Sequence, residues 1–249
     1  MKSLLRLFLM VTLLVNATFA RASLLSTINY FSCAPNCAPL TVVNTISQNG
    51  SALSFSNSYG GAFSQAAYGT LKASVDSSFT ASPNTFSSGS SLAQFSDWIM
   101  LGGLTGPQMV TFVLHTDGAL GGTGESTNGT AASMSITLDV NGQQVAIVAD
   151  YFGGLLASAP QGGLSGTFAL DYGTQISLGA LLQVSGSLGG FAHFGNTVSL
   201  EIFAPQGTSL ISGSGTEYRL ATIPEPGTCA LLLLGLFSLL AARNRYRRC

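Results

Sequence analysis

Nine acidic residues and two histidines are the groups with which the central part of this chain could move protons. His115 lies two residues from Asp117, and this is the one pairing from which a Ser-His-Asp arrangement could start. The ordinary reading is a histidine that only packs or meets solvent. Glycoside hydrolysis needs two carboxylates flanking one bond. Asp97, Asp117, Glu125 and Asp150 are the candidates, and nothing in their spacing selects two of them. Calcium would draw on Asp117, Glu125, Asp139 and Asp150, which fall in or beside predicted turns, but no Asp-x-Asp-x-Asp-Gly loop is present. Solvated turn acids are the default there. The chain also lacks His-Glu-x-x-His, Gly-x-Ser-x-Gly, a Walker loop and Gly-x-Gly-x-x-Gly. No catalytic residue, metal or cofactor is therefore assigned. Tyr151-Phe152, placed after a predicted strand and beside Gly153-Gly154, is the short aromatic patch able to stack on a sugar ring.

Cysteine chemistry is confined to Cys33 and Cys37, separated by Ala34-Pro35-Asn36. Pro-Asn favours a turn, and a small-loop disulfide is the preferred reading. A redox pair would be expected at Cys-x-x-Cys spacing. A metal site would need further ligands, and the histidines are distant in sequence.

The elements that must position these groups read as short strands. Ser133–Val140, Asn141-Gly142 and Gln143–Asp150 alternate around a two-residue type I′ turn. Pairing Val140 with Gln143 sets Leu138 opposite Val145, Ile136 opposite Ile147 and Met134 opposite Ala149, all on one face. A one-residue slip would destroy that agreement. Thr41–Ser47 and Ala52–Ser56 alternate around Asn49-Gly50, a second hairpin signal. Gly60–Ala81 holds one or two strands. Ser82–Ser91 reads as a loop, as does glycine-rich Gly118–Gly129. Ala93–Leu101 and Met109–Thr116 are strands, with Trp98 as the expected large core residue. Leu164–Tyr172, Gln175–Leu188, Thr197–Ala204 and Thr216–Ala221 complete the set. Helical periodicity over ten residues is absent from this central part of the chain. The expected fold is all-β, a single β-sandwich or jelly roll, with a β-solenoid as the alternative despite the lack of a fixed repeat.

Both ends read as processing segments. Lys2 and Arg6 precede the apolar Leu7–Val15, and Ala20-Arg21-Ala22 supplies small residues for cleavage after Ala22. At the other end, Ile223-Pro224-Glu225-Pro226-Gly227 precedes the uncharged Thr228–Ala242 and then Arg243, Arg245, Arg247 and Arg248. That run is short for a membrane span of roughly 20 residues. Flanking residues and arginine stems can extend it. The arginines hold the C-terminus in the cytoplasm, and the two prolines keep the preceding peptide extended outside.

Pro-Glu-Pro, a short apolar helix and a terminal arginine cluster resemble the PEP-CTERM sorting signal of Gram-negative bacteria, also known as the C-terminal domain of ice-binding proteins. The resemblance covers Ile223–Cys249. It implies recognition by an exosortase, a membrane transpeptidase-like enzyme of organisms that make exopolysaccharide. The expected organisation is a signal peptide over 1–22, a β-rich extracytoplasmic domain over 23–222, and a sorting signal over 223–249 with its helix at about 226–242 and a basic tail over 243–249.

Between Ser23 and Thr222 only Lys72 and Arg219 are basic against nine acids, a balance of −7. Such a body does not attract nucleic acid or anionic lipid by counter-charge. Signal peptidase and exosortase are the expected processing partners, and the C-terminal helix is the expected membrane contact before processing. The expected function is that of an exported, non-enzymatic surface or matrix protein associated with extracellular polysaccharide. A specific carbohydrate- or ice-binding module and a secreted glycan hydrolase are the alternatives. Ice binders usually present regular threonine arrays, whereas the threonines here are irregular.

Overall fold

The computed structural model describes residues 22–33, 40–80, 85–122, 130–152, 155–156 and 163–222. Among them the regular elements are all strands: β1 (Ser23–Cys33), β2 (Leu40–Ser47), β3 (Leu53–Asn57), β4 (Gly60–Ala67), β5 (Thr70–Ser77), β6 (Phe79–Thr80), β7 (Thr85–Gly102), β8 (Pro107–Gly122), β9 (Ala131–Val140), β10 (Gln143–Phe152), β11 (Leu155–Leu156), β12 (Leu164–Asp171), β13 (Gln175–Ser187), β14 (Gly190–Ala204), β15 (Ser209–Ser212) and β16 (Arg219–Thr222). Sheet I has nine strands in the order β11-β10-β9-β13-β7-β1-β2, with β15 and β6 also on β7. Sheet II has seven, β12-β8-β14-β5-β4-β3, with β16 on β14. The two pack face to face as in a β-sandwich. Among the described residues no helix is long and apolar enough to cross a membrane.

The β9–β10 hairpin has the register read from its sequence: Val140 opposes Gln143, Leu138 Val145, Ile136 Ile147 and Met134 Ala149. Asn141 and Gly142 both take positive φ, 55° and 80°, as a type I′ turn requires. The period-2 alternation then buries Met134, Ile136 and Leu138 in one core with Phe95, Phe112, Leu178, Leu182, Phe194 and Ile202. Each such buried side chain contributes roughly 1.5–3 kcal/mol. Phe112 and Phe168 meet edge to face with centroids 5.8 Å apart.

Where β1, β4 and β7 face one another, the interior changes character. The Ser64 hydroxyl of sheet II donates to the Leu92 carbonyl of sheet I, and the Ser91 hydroxyl of sheet I donates to the Phe63 carbonyl of sheet II. The Tyr59 carbonyl accepts from Ser87 Oγ at 2.6 Å and from Tyr30 Oη at 2.8 Å. Glycine is required beside them. A Cβ on Gly89 would lie 2.8 Å from the Tyr30 ring and 3.1 Å from Val75.

This packing corrects several sequence expectations. Thr85–Ser91 is not loop but the start of β7, because Ser87, Gly89 and Ser91 point inward at a close sheet contact that larger residues would block. Gly118–Gly122 continues β8. A Cβ on Gly118 would strike the Phe194 ring, and one on Gly121 the Phe191 ring. Residues 123–129 lie outside the described residues. Asn49-Gly50 turns the chain but makes no hairpin, since β2 pairs with β1 in sheet I and β3 with β4 in sheet II. The Asn49 side chain satisfies that turn by accepting from Ser47 Oγ and Ser51 N, while the Gly50 carbonyl accepts from Ala66 N. Trp98 is half-buried on the outer face against Gly213. Alternation along β7 gives the core position to Phe95 instead.

Candidate functional site

Pairing across sheet I aligns six polar side chains on its outer face. Asn44 of β2 opposes Asn29 of β1, Asn29 opposes Ser90 of β7, Ser90 opposes Ser185 of β13, Ser185 opposes Ser133 of β9, and Ser133 opposes Asp150 of β10. With neighbouring strands about 4.8 Å apart, the row extends about 24 Å. Ser133 and Ser185 share a hydroxyl hydrogen bond of 2.7 Å. The rows on either side read Ile46–Thr27–Leu92–Gln183–Ser135–Val148 and Val42–Phe31–Ser88–Ser187–Ala131–Phe152. Apolar side chains thus stand at the ends of these two rows, with Val42 66% and Phe152 64% exposed. Hydroxyls and amides both donate and accept, whereas Asp150, when ionised, only accepts. This face is equipped to hydrogen-bond an extended, hydrated chain.

Tyr151 and Phe152 do not form a joint stacking patch. Both belong to β10 rather than to a loop, so they point to opposite faces. Tyr151 packs against Gly122 on the core side, and Phe152 alone reaches the outer face of sheet I.

The acids are dispersed. Asp97 points into the sandwich and is 1% exposed. Asp139 holds its own hairpin, accepting from Gly142 N at 3.0 Å and Gln144 Nε2 at 2.9 Å. Asp117 and Asp150 are exposed on different sheets, and Glu125 lies outside the described residues. Among the described residues no three of His, Cys, Asp and Glu gather as metal ligands. His115 engages Glu201 rather than Asp117, with Nε2 and Oε2 2.8 Å apart, and Arg219 Nε meets the other carboxylate oxygen at 2.9 Å. Cys33 is in a disulfide. Cys37 lies outside the described residues.

Sequence reasoning missed a cluster on the outer face of sheet II. The Phe191 and His193 rings lie 4.8 Å apart, and His193 Nε2 is 2.6 Å from Asp76 Oδ1. Beside them is a shallow, open depression lined by Ser54, Ser56, Phe63, Ser74 and Asp76. The local signal was the alternation in Phe191-Ala192-His193. The pairing of β14 with β5 that supplies Asp76 has no local signature.

Sequence reasoning also missed the device built on Asp97. Its Oδ1 accepts from Trp98 N at 2.8 Å and Ser214 N at 3.0 Å, and its Oδ2 from Ser214 Oγ at 2.5 Å and Tyr218 Oη at 2.8 Å. Burial pushes the Tyr218 hydroxyl pKa well above the usual range, and Asp97 adds to the shift. The Tyr218 ring covers Gly69 and stands 6.4 Å from Phe95. Since β15 pairs with β7 of sheet I and β16 with β14 of sheet II, the clasp fastens the segment between them across both sheets.

The strand secured by this clasp ends at Thr222, and residues 222–248 match the PEP-CTERM protein-sorting motif. The match marks an exported protein targeted to exosortase. Pro224, Glu225, Pro226, the four arginines and the expected membrane helix lie outside the described residues. No curated protein matches the chain.

Proposed function

We propose that the exosortase-processed body is a non-catalytic surface or matrix protein that binds extracellular polysaccharide across the outer face of sheet I. The observation that carries this reading is the six-residue polar row from Asn44 to Asp150. A flat row of hydroxyls and amides can meet many hydroxyls of a polymer at once, and weak contacts of this kind gain strength by repetition. Both histidine–carboxylate pairs, His115–Glu201 and His193–Asp76, lie on sheet II and away from this row, which favours adhesion over turnover along it.

Processing fits the same reading. Among the described residues the strands run from Ser23 to Thr222, so loss of residues 1–22 and of those after about Pro226 leaves all of these strands in place. A Cys33–Cys37 disulfide would close the loop between β1 and β2.

The test is co-sedimentation of the processed protein with the producer's own exopolysaccharide, together with a reducing-sugar assay. Binding without sugar release is expected. Changing Ser90 and Ser185 to Val should weaken binding several-fold while leaving the circular dichroism spectrum intact. Glycan turnover, or binding indifferent to this double change, overturns the proposal.

A further inference from the structure

We infer that, before processing, the body stands end-on at the membrane, with the loops 103–106, 141–142, 172–174 and 205–208 against the lipid headgroups. The inference rests on the tail being a membrane-inserted sorting signal, as proposed above. Strand directions define the end in question. β7, β12 and β14 finish there, at Gly102, Asp171 and Ala204, while β8, β10 and β13 start there. β16 runs parallel to β14, with Thr222 level with Ala204, so the chain leaves the body at this same end. Cys33, Gly122, Phe152 and Ser187 mark the opposite end.

Two independent features bring that end to the lipid. The first is the absence of slack. The sorting-motif match starts at Thr222, the last residue of β16, and the apolar run starts at Thr228. Six residues span at most roughly 20 Å when fully extended. The headgroup zone takes up roughly 6 Å of that on each side of the hydrocarbon core. The Asp97–Ser214–Tyr218 clasp keeps the preceding segment from paying out more chain.

The second feature is charge. In a body with a balance of −7, the four loops contain no charged residue. The nearby Asp139 is occupied by Gly142 N and Gln144. Met109 and Ile211, each two residues in from this end, are 54% and 56% exposed. Asp171 is exposed at this end, on the edge strand of sheet II, and the rest of the rim, uncharged and flanked by apolar side chains, can approach headgroups without dehydrating an ion.

The experiment uses the Ser23–Cys249 chain in phosphatidylcholine vesicles containing headgroup-nitroxide lipid. A single tryptophan is placed by Met109→Trp or by Phe152→Trp, each in a Trp98→Phe background. Both sites are exposed, and they belong to opposite ends. The tryptophan at 109 should be quenched at least threefold more than the one at 152. A chain that floats with the vesicles but shows equal quenching, or stronger quenching at 152, overturns the orientation while leaving the tail reading intact. A chain that fails to float overturns both. If position 109 is unquenched in vesicles yet shielded from an impermeant reagent in producing cells, the end docks on protein, and the lipid proposal is wrong.

Discussion

Replacing Asp97 with Ala tests whether the clasp holds the C-terminal segment. Four donors converge on this carboxylate within 2.5–3.0 Å. Hydrogen bonds to an ionised group are worth about 1.5–3 kcal/mol each, but members of one network do not add. Ser214 is half-exposed, so water can replace the carboxylate there. Tyr218 is 7% exposed, and its hydroxyl would be left unsatisfied. One stranded buried donor plus the lost charge-assisted bonds gives about 3 kcal/mol. For a body of about 200 residues, that lowers Tm by about 6–12 °C. Thermal unfolding of the processed protein, followed by circular dichroism, measures it. Tyr218→Phe should cost less, about 1.5 kcal/mol, because Asp97 keeps three donors. The two changes together should cost less than their sum. A loss below about 1 kcal/mol for Asp97→Ala, or strict additivity, would refute the reasoning.

Tyr218 also predicts a pH dependence. Its folded pKa is raised, so its stabilising effect is complete below the unfolded value of about 10 and declines as pH rises above it. Denaturant midpoints should fall above about pH 10, and Tyr218→Phe should flatten the fall. Ile136→Pro should cost roughly 3 kcal/mol or more, because β9 is paired on both sides there, by β10 and β13. Ile147→Pro should cost less, since β11 pairs β10 only at Tyr151 and Phe152. Intact mass of the exported protein should show loss of residues 1–22 and of residues after about Pro226, and Glu225→Ala should slow the second step. A mature chain ending at Cys249 contradicts that expectation.

How much the sequence revealed depended on where each strand's stabilising partners lay. The β9–β10 hairpin was legible to the register because its turn residues and alternating side chains are local. Thr85–Ser91 was illegible for the opposite reason: its serines look like loop composition until β4 and Tyr59 are brought against them. Asn49-Gly50 gave a true turn signal, but a turn does not specify which sheet receives the next strand. Asp97 looked like one more acid, since its partners at Ser214 and Tyr218 lie more than a hundred residues away. Tyr151-Phe152 looked like a pair only when β10 was ended too early. Once the strand runs through Phe152, adjacency in sequence separates the two rings.

The paired serines between the sheets have a mechanical consequence. Apolar side chains resist a lateral slide by interdigitating, with an attraction that has no set direction. The Ser64–Leu92 and Ser91–Phe63 bonds are different, since each hydroxyl meets one particular carbonyl on the opposite layer. A shift of one repeat would strand both hydroxyls in a dry interior, at about 1–3 kcal/mol for each unsatisfied group. The layers are therefore keyed like meshed teeth and resist shear along the strand direction. If the body is held at one end and bound by a polymer across its face, as proposed, that is the direction in which a tug would act.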